Sequence, residues 1–359
     1  IANLHFYKIE MKKNILLASL ILSLTGLFAQ NKPPTSIIFM IGDGMGLSQV
    51  SAGMYYNGNK TSLEDFPFVG LSKTHSSNSL VTDSAASGTA MACGIKTLNG
   101  VIGIGTKNEY AKSILEISKE KGYQTGLIST SSIVHATPAS FYANVVSRKE
   151  YEEIAFQLST SVIDYFIGGG KKHFTQRKDS RNLIKEMVDY DIVSSISKFD
   201  SSDSKKIGHF TNNDEPNRIL DGRLSLDIAV NSILNKLDRD QKPFFLMIEG
   251  SQIDWGGHAN ELNYVVSEFK DFDAAIQTVL DYTIKNPNTL VVVTADHETG
   301  GLSLLKGDLK TMSPEGVFST LGHTGTMVPV FSKGPSASDF SGIYDNTAIF
   351  TKMLAVLNQ

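Results

Sequence analysis

Short apolar runs alternate with longer amphipathic stretches along most of this chain. Each run is too uniformly apolar for a strand with one face in water, so the set predicts buried parallel strands. The predicted strands are residues 36–41, 125–130, 243–248, 289–294 and 327–331.

The amphipathic stretches carry apolar residues at spacings of three and four, which is typical of helices that cross between strands. They cover residues 111–121, 224–237 and 261–284. Alternating strands and helices predict an α/β three-layer sandwich, with a mostly parallel central sheet and helices on both faces. Residues 171–217 and 306–318 are more polar and less periodic, and we expect them to be surface insertions in a single catalytic domain at 30–359.

The first thirty residues have the pattern of a secretion signal. An apolar run at 15–28 follows Lys12 and Lys13 and ends near Ala29. Its fourteen residues fall short of the roughly 20 that span a bilayer, so no permanent membrane anchor is expected. The pattern predicts upstream translated residues at 1–10, a signal peptide at 11–29 and a periplasmic or secreted protein; the alternative is a buried N-terminal helix.

Composition excludes several classes of protein. The chain has 33 Lys and Arg against 37 Asp and Glu, a formal net charge of -4, so no nucleic acid partner is expected. Its 41% hydrophobic and 19% charged residues are ordinary for a globular protein. Cys93 is the only cysteine, so there is no intrachain disulfide.

Carboxylates and histidines collect at the ends of the predicted strands. Because ligands of an α/β sheet bind where its strands end, we expect these side chains to converge, and unpaired carboxylates there would need metal ions to offset their repulsion. For any one residue the alternative is a capping Asp or a surface His. The set is Asp43, Glu249, Asp254, His258, Asp296, His297 and His323.

The spacing of these residues indicates more than one ion. Asp254 and His258 lie four positions apart, so on a helix both face one ion. Asp296 and His297 are adjacent, which suits a loop. Two local geometries predict two ions, and oxygen ligands near Asp43 and Glu249 would suit magnesium as a third.

The segment 81–94 is rich in small residues and contains Ser84. Small residues allow a helix N-terminus to approach a ligand closely, and the helix dipole there favours an anion. No histidine lies one turn from Ser84, so a metal would have to activate it as a nucleophile. The alternative is that Ser84 caps a tightly packed helix.

The ordered set of these motifs resembles the alkaline phosphatases over residues 36–359. The resemblance is carried by Asp43, Asp83, Ser84, Ala85, Arg148, residues 249–258, Asp296, His297, Glu298, Gly322 and His323. It implies an enzyme that hydrolyses small-molecule phosphate monoesters through a phosphoserine, with two zinc ions, one magnesium ion and a possible homodimer.

The resemblance also implies individual roles. Ser84 would be the nucleophile and Arg148 would clamp the phosphate. Asp254, His258 and His323 would hold the first zinc, on which the leaving-group oxygen rests. The second zinc would be held by Asp43, Asp296 and His297, and the magnesium by Asp43, Glu249 and Thr137.

Two predicted substrate-binding positions depart from the family pattern. His135 stands where relatives carry an aspartate, and since imidazole suits zinc better than magnesium, the identity of the third metal stays open. Trp255 stands where some relatives place a lysine that contacts phosphate through water. An indole has no positive charge, so we expect weaker binding of the phosphate product.

Two other functions remain as alternatives. The chain could be an exported metal- or phosphate-binding protein without turnover, or a phosphodiesterase of the same superfamily. Arg148 favours the terminal phosphate of a monoester. A sulfatase would need Pro and Arg after its nucleophile, which Ser84 lacks, since Ala85 and Ala86 follow it.

Overall fold

The computed structural model describes residues 35–359. The predictions for residues 1–29, namely the upstream residues, the signal peptide and its cleavage near Ala29, concern a part of the chain outside this range. Within it, no helix combines the length and the apolar character needed to cross a membrane.

Fourteen strands are present in the described part of the chain. They are β1 (Ser36–Gly42), β2 (Phe68–Lys73), β3 (Gln124–Ser132), β4 (Tyr165–Gly169), β5 (Asp191–Val193), β6 (Ile207–Phe210), β7 (Phe244–Gly250), β8 (Thr289–Thr294), β9 (Glu298–Thr299), β10 (Ser303–Asp308), β11 (Ser313–Val317), β12 (His323–Thr324), β13 (Val328–Lys333) and β14 (Gly342–Asp345).

Twelve α-helices accompany these strands in the same range. They are α1 (Leu47–Tyr56), α2 (Ser84–Cys93), α3 (Ile114–Glu120), α4 (Ala136–Ala139), α5 (Tyr151–Ser159), α6 (Lys172–Thr175), α7 (Leu183–Glu186), α8 (Ile196–Ser201), α9 (Leu226–Asp238), α10 (Gln252–Ala259), α11 (Leu262–Lys285) and α12 (Thr347–Leu357).

Ten strands form one central sheet in the order β14-β2-β13-β8-β1-β7-β3-β4-β6-β5. Alternate side chains of β1 point to opposite faces of the sheet, with Phe39 in one apolar core and Met40 in the other. The core around Phe39 includes residues of α2, α3 and α12, whereas the core around Met40 includes residues of α9 and α11. The predicted three-layer α/β sandwich is therefore confirmed.

One predicted strand direction is wrong. β13, expected at 327–331 as a parallel strand, runs antiparallel to both of its neighbours, β8 and β2. Its apolar pattern reflects burial inside the sheet, and burial on both faces does not depend on strand direction. Its reversal places the start of β13 at the edge where the parallel strands end.

The two polar segments differ in their structure. Residues 171–217 include β5 and β6, which extend the central sheet beyond β4. Residues 306–318 overlap the β10–β11 hairpin, whose side chains are largely exposed. That these segments are insertions stays a prediction.

Candidate active site

The strand ends bring the predicted side chains to one edge of the sheet. Asp43 follows β1, and Glu249 lies at the end of β7, which pairs with β1. Asp296 and His297 lie in the loop after β8, on the other side of β1. His323 precedes β13, and reaches the same edge because that strand is antiparallel.

A first cluster combines Asp254, His258 and His323. The first two lie one turn apart on α10, as their spacing predicted. Asp254 Oδ1 lies 3.4 Å from His258 Nε2 and 3.5 Å from His323 Nε2, and the two Nε2 atoms are 3.1 Å apart. These three atoms could therefore share one metal ion.

A second cluster surrounds His297, which is fully buried. Its Nε2 atom lies 3.1 Å from Asp296 Oδ2, 3.5 Å from Asp43 Oδ1 and 3.3 Å from Ser84 Oγ. The two clusters adjoin, since ligand atoms of Asp254, His297 and His323 also lie within 4.8 Å of one another.

Hydrogen bonds orient all three imidazole rings with Nε2 toward the clusters. His258 Nδ1 lies 2.6 Å from the carbonyl of Leu321, and His323 Nδ1 lies 2.8 Å from that of Thr82. Because a carbonyl only accepts, each Nδ1 carries the hydrogen, and Nε2 of the neutral ring keeps its lone pair for a metal.

Thr299 orients the third ring and was missed by the sequence reasoning. Its hydroxyl donates to Asp254 Oδ1 at 2.5 Å, so Thr299 Oγ1 accepts from His297 Nδ1 at 3.2 Å. Thr299 therefore links Asp254 of the first cluster to His297 of the second. The sequence offered no signal for it beyond the position of Thr299, two residues after His297.

A third group contains Asp43, Glu249 and His135, with ligand atoms within 4.8 Å of one another. Thr137 Oγ1 donates to Asp43 Oδ2 at 3.5 Å, and Ser129 Oγ donates to Glu249 Oε2 at 2.6 Å. The structure thus brings His135 into this group together with the three residues expected around the magnesium.

Burial and mutual repulsion shift the pKa values of these acids. Burial, with the neighbouring carboxylates, raises the pKa of Asp43 well above its usual range. Burial also raises the pKa of Glu249 to about 7. Burial acts in the same direction on Asp254, but its contacts with His258 and His323 hold the pKa of that carboxyl well below the usual range.

The donor atoms fit divalent metal ions. Asp43 Oδ1, Asp296 Oδ2, Glu249 Oε1 and His135 Nδ1 are buried without a hydrogen-bond partner among the described residues. Buried polar atoms are normally satisfied, and a set of oxygen and imidazole nitrogen atoms is the donor set of zinc and magnesium sites. The hydrogen bond that protonated His258 donates to Asp254 raises the pKa of His258 to about 9, so a metal would displace a proton there.

Ser84 is the first residue of α2 and is 2% exposed. The N-cap is Asp83, whose Oδ1 accepts from the backbone N–H of Ala86 at 3.0 Å. The alternative of Ser84 as the capping residue is therefore wrong. Its hydroxyl instead faces His297 Nε2, at the N-terminal end of the helix dipole.

Arg148 lies beside this helix terminus. Its Nη1 atom is 3.1 Å from Asp83 Oδ2, and the two side chains are 22% and 20% exposed. Asp83 Oδ2 also accepts from the backbone N–H of Gly100. Asp83, to which the sequence reasoning gave no role, thus fixes both the start of α2 and the guanidinium of Arg148.

Trp255 borders the third group of donors from α10. The indole is half-buried, and its ring meets that of His135 edge-on with centroids 6.1 Å apart. Burial, with the positive charge of Arg148, lowers the pKa of His135 to about 4. His135 is therefore neutral at neutral and alkaline pH, with lone-pair character available on one ring nitrogen.

Comparison with known proteins gives a consistent result. The family model for alkaline phosphatase matches residues 35–317. Alkaline phosphatase 3 of Bacillus subtilis is 35% identical, over 90% of this chain and 88% of that protein. The structure of alkaline phosphatase from the Antarctic bacterium TAB5 has a TM-score of 0.86 and 42% identity, covering 92% of this chain and 99% of that chain.

A variant of the TAB5 enzyme in which one histidine is replaced by aspartate has magnesium bound in its M3 site. It has a TM-score of 0.86 and 41% identity, with 92% of this chain and 99% of that chain covered. The match over most of the chain and the clusters of side chains that could hold metal ions lead to one conclusion: this chain belongs to the alkaline phosphatase family, as a metal-dependent phosphomonoester hydrolase.

Proposed function

We propose that this chain hydrolyses phosphate monoesters through a phosphoserine at Ser84. The observation that carries the proposal is the 3.3 Å contact between Ser84 Oγ and His297 Nε2. Ser84 is 2% exposed, and its hydroxyl thus lies against a ring whose other nitrogen is already hydrogen-bonded to Thr299. An exported binding protein without turnover would need no buried hydroxyl at this position.

Three metal ions are included in the proposal. Asp254, His258 and His323 would hold one zinc, and Asp43, Asp296 and His297 a second. The third, magnesium or zinc, would be held by Asp43, Glu249 and either Thr137 or His135. When bound, such ions lower the pKa of a hydroxyl or a water and stabilise charge on the attacking and leaving oxygens.

The residues of the chain then have separate tasks. Ser84 Oγ attacks phosphorus in line with the leaving alcohol, and water later attacks the phosphoserine, so two inversions give net retention. Arg148 presents its planar guanidinium to two phosphate oxygens, oriented by its ion pair with Asp83. The N-terminal end of the α2 dipole adds a favourable electrostatic environment for the anion.

We also propose export, with residues 11–29 removed as a signal peptide. The basis is the apolar run at 15–28 after Lys12 and Lys13. Residues 30–359 would then form the catalytic domain, in the periplasm or outside the cell, and two such domains could form a homodimer.

Ser84→Ala should abolish turnover. Without the hydroxyl no phosphoserine forms, and the rate of hydrolysis of a chromogenic aryl phosphate should fall by about a thousandfold or more. Mass spectrometry should detect phosphate on Ser84 only in the wild type. Ser201→Ala, at an exposed position of α8, is the matched control. Activity that survives both Ser84→Ala and a chelator would contradict the mechanism.

Removal of metal should destabilise the fold as well as stop the reaction. The buried acids are neutralised by the bound ions, and ligand at a hundredfold excess over its Kd stabilises by about 2.7 kcal/mol. Differential scanning calorimetry should therefore show a melting temperature lower by about 5 °C or more after chelation. Zinc should restore it, and identical melting curves with and without metal would refute a metal-neutralised cluster.

His135→Asp should favour magnesium at the third site. A carboxylate is a better magnesium ligand than imidazole, so we expect affinity for magnesium to rise about tenfold, measured by isothermal titration calorimetry. The magnesium-bound variant of the TAB5 enzyme supports this expectation. His135→Asn is the uncharged control, and an unchanged magnesium affinity in the Asp variant would contradict the assignment.

Trp255→Lys should strengthen inhibition by inorganic phosphate. An ammonium group at this position can bind the anion directly or through water, and one charge-assisted hydrogen bond corresponds to about a tenfold lower inhibition constant. Trp255→Met removes the indole without adding charge and should not produce this gain. Equal inhibition constants in the wild type and the Lys variant would rule out this role for position 255.

A further inference from the structure

Glu298 has no part in the reaction described above, although it lies directly after His297. It is 5% exposed, and its carboxylate accepts four hydrogen bonds. The donors are Gln49 Nε2 at 2.6 Å, Thr324 Oγ1 at 2.5 Å, and the backbone N–H groups of Gly301 and Leu302 at 3.2 Å each.

All four donors are neutral. Among the ion pairs formed within residues 35–359, none includes Glu298. Burying a carboxylate without a cationic partner is costly, and it is tolerated here because every donor is in place. The free-energy cost of burying the Glu298 carboxylate indicates that this residue has a role beyond packing.

The Glu298–Thr324 hydrogen bond joins the backbones that carry two histidines. β9 and β12 pair over only two residues, His323 opposite Thr299 and Thr324 opposite Glu298. The rings of His297 and His323 are stacked, with centroids 3.5 Å apart and planes 19° from parallel. Since these rings belong to different donor clusters, the pairing of β9 with β12 connects the backbones of the two clusters.

Gln49 connects the β9–β12 pair to helix α1. Its amide donates to Glu298 and, at 2.7 Å, to the carbonyl of Thr299, and the residue is fully buried on α1. The backbone approaches closely at Gly46, where a Cβ atom would lie 2.4 Å from Glu298 Cγ. Glu298 is therefore held from the α1 side as well as from β12.

We propose that Glu298 is a positioning residue which, through Thr324 and Gln49, fixes the separation of His297 and His323 and so of the two metal ions. The inference rests on the proposed function, because it requires that the two histidines bind separate ions. Hydrogen bonds that orient metal ligands from behind typically change metal affinity by 10–100-fold when they are lost.

Two substitutions of Thr324 separate the effect of losing the hydroxyl from the effect of changing the side-chain volume. Thr324→Val keeps the shape and removes the donor to Glu298, whereas Thr324→Ser keeps the donor. We expect zinc to transfer to a chromophoric chelator about tenfold faster from the Val variant and at the wild-type rate from the Ser variant. Glu298→Gln replaces an acceptor oxygen by NH2, and it should release zinc as fast as the Thr324→Val variant. Thr351→Val, on the exposed side of α12, is the matched control.

The melting temperature of the metal-free protein distinguishes positioning from simple support of the fold. Because Thr324→Val also leaves a buried carboxylate oxygen without one of its donors, some loss of stability is expected without metal. Positioning predicts that, relative to Thr324→Ser and the wild type, Thr324→Val lowers the melting temperature more in the zinc-bound protein than in the metal-free protein. Zinc release at the wild-type rate from Thr324→Val and Glu298→Gln would overturn the proposal, as would an equal loss of stability with and without metal.

Failure of this proposal is distinguishable from failure of the proposed function. A wild-type protein that binds zinc but fails to hydrolyse phosphate monoesters would overturn the proposed function alone, and one that binds no zinc would overturn both.

Discussion

Repulsion among buried carboxylates at one edge of the sheet is the constraint on which the rest of the site depends. Asp43, Glu249, Asp254 and Asp296 are at most 5% exposed. Burial and proximity raise the pKa values of Asp43 and Glu249, and oxygen atoms of three of these acids have no hydrogen-bond donor within residues 35–359. The divalent cations proposed for this site would offset the repulsion, and they would also supply positive charge that attracts a phosphate anion to an acidic protein.

The residues around the acids hold donor atoms in position. Nδ1 of each of the three histidines is hydrogen-bonded, either to a backbone carbonyl or to Thr299, so that each Nε2 atom faces a donor cluster. Asp83 connects the start of α2 to Arg148, and so relates the Ser84 hydroxyl to the guanidinium proposed to bind phosphate. Glu298 plays the corresponding part between His297 and His323. The geometry of the candidate site thus depends on polar residues outside the set proposed to bind metal and substrate.

The antiparallel strand β13 has a direct consequence for the site. If it ran parallel to β8, the segment before it would lie at the opposite edge of the sheet, and His323 would be far from Asp254. Reversal brings the start of β13 to the carboxyl edge, where β12 pairs with β9. The sequence placed His323 with the other donors from its position next to a strand end, but it contained no information on strand direction.

Local patterns in the sequence determined the sandwich architecture, the helical relation of Asp254 to His258 and the group of acids and histidines at strand ends. Periodicity and spacing report burial and local conformation, which depend on neighbours along the chain. Only the tertiary structure decided the direction of β13, the contact between Ser84 and His297, and the functions of Thr299, Asp83 and Glu298. These depend on hydrogen bonds between segments far apart in the chain, 213 residues for Ser84 and His297, and no local pattern encodes such a distance.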